Sequence, residues 1–457
     1  MTALRGRIGH FQYLALGFGT IIGSAWVILL GDWLGKAGPG GSVLGFVCGA
    51  VVVMTIGACY AELTARLPEA GSEFIYAHRA YGRRLAFCVG WFLVLYLVSV
   101  TIFEALALAW IVEIAVPAWR PATLYTAFGT AITLETLAVG IAGAAIILFL
   151  NYRGARLTMI VHSIVTYGFI AIVTCILAAL LIHGQPRNLV PWFATTTGKP
   201  WWLGSGAIFA FCSYALNGFQ AIPQAIEERS STTSLRAVAF LIVGSIAAAA
   251  IFYCLVVIAA SAITPWRNLV AAPLPTVAAA AALPHGQVFA QVLLVATAAS
   301  LLKAWNGVFM MAARLLVAMA RVGYVPQAFA NLHPRFQSPV AALTFIGALN
   351  VAGVFFGKGA IEPITDMSAM VLTLTYLLCC VTVLKLRRQG TAEHFQVPGG
   401  VIVVWLGGLG AALMAVVAIL SPYWTQPGIP LEWRLVGAWS LAGIVVWYVW
   451  VRRVPAG

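Results

Sequence analysis

Apolar residues in this chain run in long blocks rather than in periodic stripes. Stripes at helical or strand spacing mark elements with one wet face. Unbroken apolar blocks of ~20 residues are long enough to span a bilayer. About twelve such blocks follow one another, near 10–31, 42–65, 85–116, 131–150, 158–182, 204–226, 236–261, 287–313, 338–356, 364–386, 400–420 and 434–451. Little sequence is left between them. The pattern predicts an all-α integral membrane protein of about twelve transmembrane helices, forming one membrane domain over residues 1–457.

Composition sharpens this reading. The chain is 62% hydrophobic and 9% charged, whereas soluble domains carry about 25% charged residues. Its net charge of +13 would suit nucleic acid, but the placement of the charges argues otherwise. Arg5, Arg7, Arg66, Arg79, Arg83, Arg84, Arg153, Arg314, Arg321, Lys385, Arg387 and Arg388 fall on one side of the predicted spans. Lys36, Arg120, Arg187, Lys199, Arg267, Lys358 and Arg434 fall on the other. This bias is the positive-inside rule, and it places both termini in the cytoplasm. Nucleic acid is not an expected partner. Arg5 and Arg7 lead into a full span rather than a short cleavable segment, so no signal peptide is expected. The expected location is a bacterial inner membrane.

The eight cysteines all fall within predicted spans, at spacings that suit neither a disulfide framework nor a metal site. They read as small apolar packing residues. No nucleotide loop, metal cluster or nucleophile–base constellation is evident, so neither an enzyme nor a cofactor is expected.

The first predicted span contains Gly17, Gly19 and Gly23 within Leu16–Ala25, which weakens a helix where water cannot repair broken backbone bonds. The sixth carries a small, polar, glycine-bearing stretch, Phe211-Cys212-Ser213-Tyr214-Ala215-Leu216-Asn217-Gly218-Phe219-Gln220. Matched interruptions five spans apart are the pattern of an inverted repeat with a substrate site between two broken helices. The second half of a broken helix offers free N–H groups to a carboxylate, and the first half offers free carbonyls to an ammonium group. An amino acid carries both.

Several stretches together resemble the amino acid–polyamine–organocation superfamily. Gly19-Thr20-Ile21-Ile22-Gly23-Ser24-Ala25 is similar to its first-helix signature, with Ala25 where glycine is usual. Glu62 and Pro68-Glu69-Ala70-Gly71, with Tyr76 and Gly82, resemble its loop after the second span, and Asn151-Tyr152-Arg153-Gly154 its entry to the fifth. Gly218-Phe219 followed by Glu227-Glu228 matches its sixth-span spacing. The most specific stretch is Arg314–Pro326, continuing into His333-Pro334-Arg335-Phe336 and Pro339.

The resemblance implies a LeuT-like fold. Two inverted halves of five spans, about 8–182 and 203–386, would be followed by two peripheral helices, about 398–453. It also implies alternating access around a site formed by spans 1, 3, 6 and 8. The backbone around Gly23, Ser24 and Ala25 would hold a substrate carboxylate, and carbonyls near Ile21 and Ser213 its amine. Tyr214 would be an aromatic gate, with Asn217 and Gly218 beside it, and Trp26 would make the pocket bulkier than usual.

Two ionisable residues lie well inside spans, where an unpaired charge costs ~2.5–3.5 kcal/mol on insertion scales. Glu104, near Thr101 in the third span, is positioned to bind a cationic group or carry a proton. Lys303 lies roughly 16 Å of helix from the span end at Arg314, too far to snorkel completely. In sodium-coupled relatives the eighth span helps hold a sodium ion against the first-span break, so Lys303 is expected to replace that ion. Some proton-coupled members use a fifth-span lysine instead, but here the region reads Thr166-Tyr167-Gly168-Phe169. Asn306 joins Lys303 as a coupling candidate, and His162 is a weaker proton carrier.

The expectation is a secondary active transporter for an amino acid, sodium-independent, and either proton-coupled or an exchanger. A polyamine or amino-alcohol permease is the near alternative. A channel lacks its continuous pore-lining charge, and a transporter-like sensor its output domain.

Overall fold

The computed structural model describes residues 8–116, 122–195, 200–390, 395–425 and 428–453. Arg5, Arg7, Arg120 and Lys199 of the charge pattern lie outside the described residues. In chain order the helices are α1 (His10–Ile21), α2 (Ala25–Ile28), α3 (Leu30–Arg66), α4 (Glu73–Tyr81) and α5 (Arg83–Ala115). A short antiparallel hairpin follows, β1 (Thr123–Ala127) with β2 (Thr130–Thr133). Then come α6 (Leu134–Tyr152), α7 (Ala155–His183), α8 (Trp201–Ala215), α9 (Ala221–Gln224), α10 (Leu235–Ile263), α11 (Trp266–Val270) and α12 (Pro275–Ala281). The last are α13 (Gly286–Arg321), α14 (Val340–Val354), α15 (Ile361–Arg387), α16 (Gly400–Thr425) and α17 (Leu431–Val449).

Among the described residues, nine helices are long and apolar enough to cross a membrane. They correspond to predicted spans one to five, seven, eight, ten and eleven. The other three predicted spans are helical but do not reach that length or apolarity. The sixth is divided between α8 and α9. The ninth, α14, has 15 residues. In the twelfth, α17, Glu432, Arg434 and the tryptophans dilute the apolar run.

One boundary differs from the sequence reading. The first predicted span does not end near 31; helix continues to a sharp turn at Gly38, inside the run Leu30–Arg66. Gly38 has φ +71°, and a Cβ there would stand 2.6 Å from the Ala194 nitrogen. Pro39 follows, with no N–H to lose and φ already set for a first helical position. Gly-Pro therefore replaces the loop expected between the first two spans.

Burial separates the centre of the bundle from its rim. The span His10–Ile28 is 83% buried, against 33% for α6 and for the span Leu157–His183. It is enclosed by α7, α10 and α13. Large apolar side chains such as Ile182, Val295, Ile402, Leu409 and Leu441 face outward, as a hydrocarbon surround permits. Two links position the halves of the first span. The outer half is held by Thr276 of α12, whose hydroxyl donates to the Trp26 carbonyl at 2.8 Å. The inner half begins at a backbone bridge: Ile8 N–H donates to the Glu228 carbonyl, and Ser230 N–H to the Ile8 carbonyl, each at 3.0 Å.

Candidate functional site

The first break lies between α1 and α2. Ile22 adopts extended backbone (φ −87°, ψ 94°), so the helical ladder stops there. In a continuous helix the Gly19 carbonyl would accept from Gly23 N–H. Here Gly23 N–H turns to the Ile21 carbonyl at 3.2 Å. The freed carbonyls are taken up by α13. Lys303 Nζ donates to the Gly19 carbonyl at 2.9 Å and to the Ile22 carbonyl at 2.5 Å. Ser300, one turn earlier, places its hydroxyl 3.0 Å from the carbonyls of both Ile22 and Gly23. The Lys303 ammonium also lies 4.8 Å from the centre of the Phe169 ring, within cation–π range. Lys303 is 2% exposed. It has no carboxylate within ion-pair distance among the described residues, so backbone oxygens carry its solvation.

The second break lies between α8 and α9, centred on Gly218 at φ +109°. Side chains again cover the loosened backbone. Asn217 Nδ2 donates to the Tyr214 carbonyl, and its Oδ1 accepts from Tyr96 at 2.8 Å. Gln220 Oε1 accepts from Gly218 N–H at 2.7 Å, while its amide donates to the Tyr376 hydroxyl at 3.1 Å. Tyr376 in turn reaches the Ser213 carbonyl at 3.5 Å.

The two breaks touch. A Cβ on Gly218 would lie 2.7 Å from the Thr20 carbonyl carbon and 2.8 Å from the Ile21 nitrogen. Gly307 of α13 closes on the same place, where a Cβ would meet the Thr20 hydroxyl at 2.1 Å. Beside this contact is a cavity of about 350 Å³. Ile21, Gly23, Ser24 and Ala25 line it from the first break, and Tyr214 and Asn217 from the second. Glu104 and Phe103 of α5, Tyr253 of α10 and Val308 of α13 complete the wall. Glu104 is 4% exposed; its Oε1 lies 2.9 Å from where a Cβ of Gly23 would stand, and its Oε2 has no partner.

The structure thus gathers seven of the predicted residues around one cavity: Ile21, Gly23, Ser24, Ala25, Glu104, Tyr214 and Asn217. Thr101 does not line it and instead donates to the Val98 carbonyl. Ser213 and Gly218 hold the second break without lining the cavity. Lys303 is behind the first break, and Asn306 accepts from Asn151 Nδ2 at 2.8 Å. His162 Nε2 lies 3.0 Å from the Ala15 carbonyl, on the far side of α1. Trp26 departs from expectation. Its ring stacks edgewise on Phe169 and Phe252, and its Nε1 donates to the Gly23 carbonyl at 2.9 Å. It braces the break rather than filling the cavity. Tyr253 and Ser300 were not foreseen. A tyrosine inside an apolar helix reads as core, whereas Ser300, three residues before Lys303, shares its helix face and was findable.

Residues 8–448 match the family model described as amino acid permease. The chain belongs to this family. It is an integral membrane protein. Among its relatives, the glutamate/serine transporter AimA of Bacillus subtilis (strain 168) is 28% identical over 96% of this chain and 79% of its own length. The branched-chain amino acid permease BcaP of the same organism is 24% identical over 99% of this chain and 94% of its own. Cationic amino acid transporter 4 of Homo sapiens is 27% identical over 95% and 71%. The substrates for which these permeases are named span acidic, small polar, branched apolar and cationic amino acids. Family membership therefore does not fix the side chain.

The contact between the breaks gives a direct test. Gly218→Ala is expected to destabilise the purified permease by about 1–3 kcal/mol, through strain at positive φ and collision with Thr20. Gly206→Ala, where a Cβ meets nothing within 4 Å, is the control and is expected to be neutral. Equal unfolding temperatures for the two variants would show that the breaks are not in contact.

Proposed function

We propose that this permease is a secondary active transporter that carries an amino acid by alternating access around the paired helix breaks. The observation that supports it best is the contact of Gly218 with Thr20 and Ile21 beside a cavity lined by both breaks and by Glu104. Ser24 and Ala25, beside Gly23, would meet the carboxylate with the N–H groups that a helix start leaves unsatisfied. The Ile21 carbonyl of the first break and the carbonyls near Ser213 of the second would meet the amine. Tyr214 would gate the cavity from above. On this reading the chain forms a LeuT-like domain of about twelve spans. Its inverted halves lie near 8–182 and 203–386, its peripheral helices near 398–453, and both termini are on the cytoplasmic face of a bacterial inner membrane.

Coupling follows from Lys303. Its ammonium sits on the Gly19 and Ile22 carbonyls, the kind of oxygen cage that would otherwise hold a metal cation. A tethered ammonium removes the need for sodium, which leaves proton coupling or exchange. Release of a proton from Lys303 would loosen its hold on these carbonyls and free α1 to move. Lys303→Ala is expected to abolish the pH dependence of uptake in proteoliposomes while the protein remains folded. An unchanged pH profile would remove Lys303 from coupling.

One observation favours a second reading, a permease for a polyamine, amino alcohol or other amine. Glu104 Oε1 already occupies the side of Gly23 that a substrate carboxylate would approach. An ionised Glu104 there attracts an amine and repels a carboxylate. Competition against uptake separates the readings. Putrescine and ethanolamine compete under the second and not under the first, where amino acids bearing the carboxylate compete alone. Glu104→Gln is expected to change selectivity or the pH profile of uptake; wild-type kinetics at every pH would make Glu104 a packing residue.

A further inference from the structure

A second cavity, about 710 Å³, lies toward the arginine-rich end of the bundle, between the segment after α9, the lower part of α13 and the start of α14. Its wall carries Glu227, Glu228, Arg314 and Arg321. Glu228 and Arg314 pair through one edge only. Arg314 Nε and Nη2 both donate to Glu228 Oε1, at 3.0 and 2.5 Å. Arg314 Nη1 and Glu228 Oε2 are buried and have no partner, and the two side chains are 14% and 5% exposed. One unsatisfied cationic donor and one unsatisfied anionic acceptor therefore belong to two paired residues that line the same cavity. The ion pair compensates the charges, but a buried donor and a buried acceptor left unmade are each unfavourable. A ligand that supplies both complements would relieve both.

The neighbouring charges select the ligand class. Glu227 and Arg321 form their own pair at 3.0 Å, and Glu227 Oε1 also accepts from Ala70 N–H at 2.9 Å. Two carboxylates and two guanidinium groups leave the wall balanced. A simple anion or cation would add a net charge to a poorly solvated space, whereas a zwitterion adds none. We propose that this cavity is a second amino acid site. The substrate carboxylate takes Arg314 Nη1, its ammonium takes Glu228 Oε2, and its side chain lies toward Met310 and Leu343. Val308 lines the central cavity and Arg314 this one, about 9 Å apart along α13. The two sites are stations on one route, and the lower one receives substrate that leaves the upper. This rests on the amino acid permease reading above.

Binding stoichiometry tests it. The proteinogenic L-amino acids are first screened for uptake by the full chain in proteoliposomes. Each transported one is then titrated, radiolabelled, onto purified protein in a scintillation proximity assay. Wild-type protein is expected to bind two per chain, and Glu228→Gln/Arg314→Gln one. Asp32→Asn/Lys36→Gln, which removes an exposed pair outside this cavity, is expected to keep two. One per chain in the wild type overturns the second site whether or not the variants fold, and leaves the permease reading standing. Two in Glu228→Gln/Arg314→Gln also overturns it. If no amino acid is taken up, the permease reading fails and the second site with it.

Discussion

A carbonyl oxygen freed inside a bilayer has no water to turn to, and this constraint organises the centre of the molecule. At the first break α1 releases the carbonyls of Gly19, Ile22 and Gly23. Lys303, Ser300 and the Trp26 indole supply the donors. At the second break Asn217 and Tyr376 donate to the Tyr214 and Ser213 carbonyls, and Gln220 accepts from Gly218 N–H. Each break is thus a polar assembly and not a weak point. Unwound backbone persists at this depth because protein side chains replace the helical partners it gave up.

The broad architecture was legible because a bilayer imposes a coarse code: apolar length, and arginine on one face. The break positions were legible for a related reason. Gly17, Gly19 and Gly23, and the stretch ending in Asn217-Gly218, have no place in a continuous apolar helix. Lys303 stood out because an ammonium deep in a span needs partners, but its contacts with the Gly19 and Ile22 carbonyls could not be read from the sequence. What the sequence left hidden was pairing. Nothing in Gly218 itself says that it rests on Thr20, and nothing in Trp26 says that it turns toward Phe169 and Phe252 rather than into the cavity. Such choices depend on which helices become neighbours, and apolar helices without charged faces carry little record of their partners. The turn at Gly38 was missed because Gly-Pro can end a span, kink it or join two, and only the close approach of Ala194 decides among these.

Small residues and aromatic residues divide the labour around the site. Gly17, Gly23, Gly218 and Gly307 let backbones and polar groups approach within distances that a Cβ would forbid. Trp26, Phe169 and Phe252 then fill the space behind the first break with edge-on rings. The result is a cavity with broken-helix backbone on one side and aromatic rings behind it. On the proposed reading, that main chain would meet the groups that all amino acids share. That agrees with a family whose relatives bear the names of chemically diverse substrates.

The short bridge between Ile8 and the Glu228–Ser230 strand segment has a mechanical consequence. It stitches the beginning of α1 to the chain just beyond α9, so the lower arms of both interrupted helices are harnessed together. Under the alternating-access reading, neither arm would swing without dragging the other, and with them the Glu228 carboxylate. Unlatching that side of the molecule would then be one concerted stroke rather than two independent ones, with Arg314 as the post from which the harness would slip.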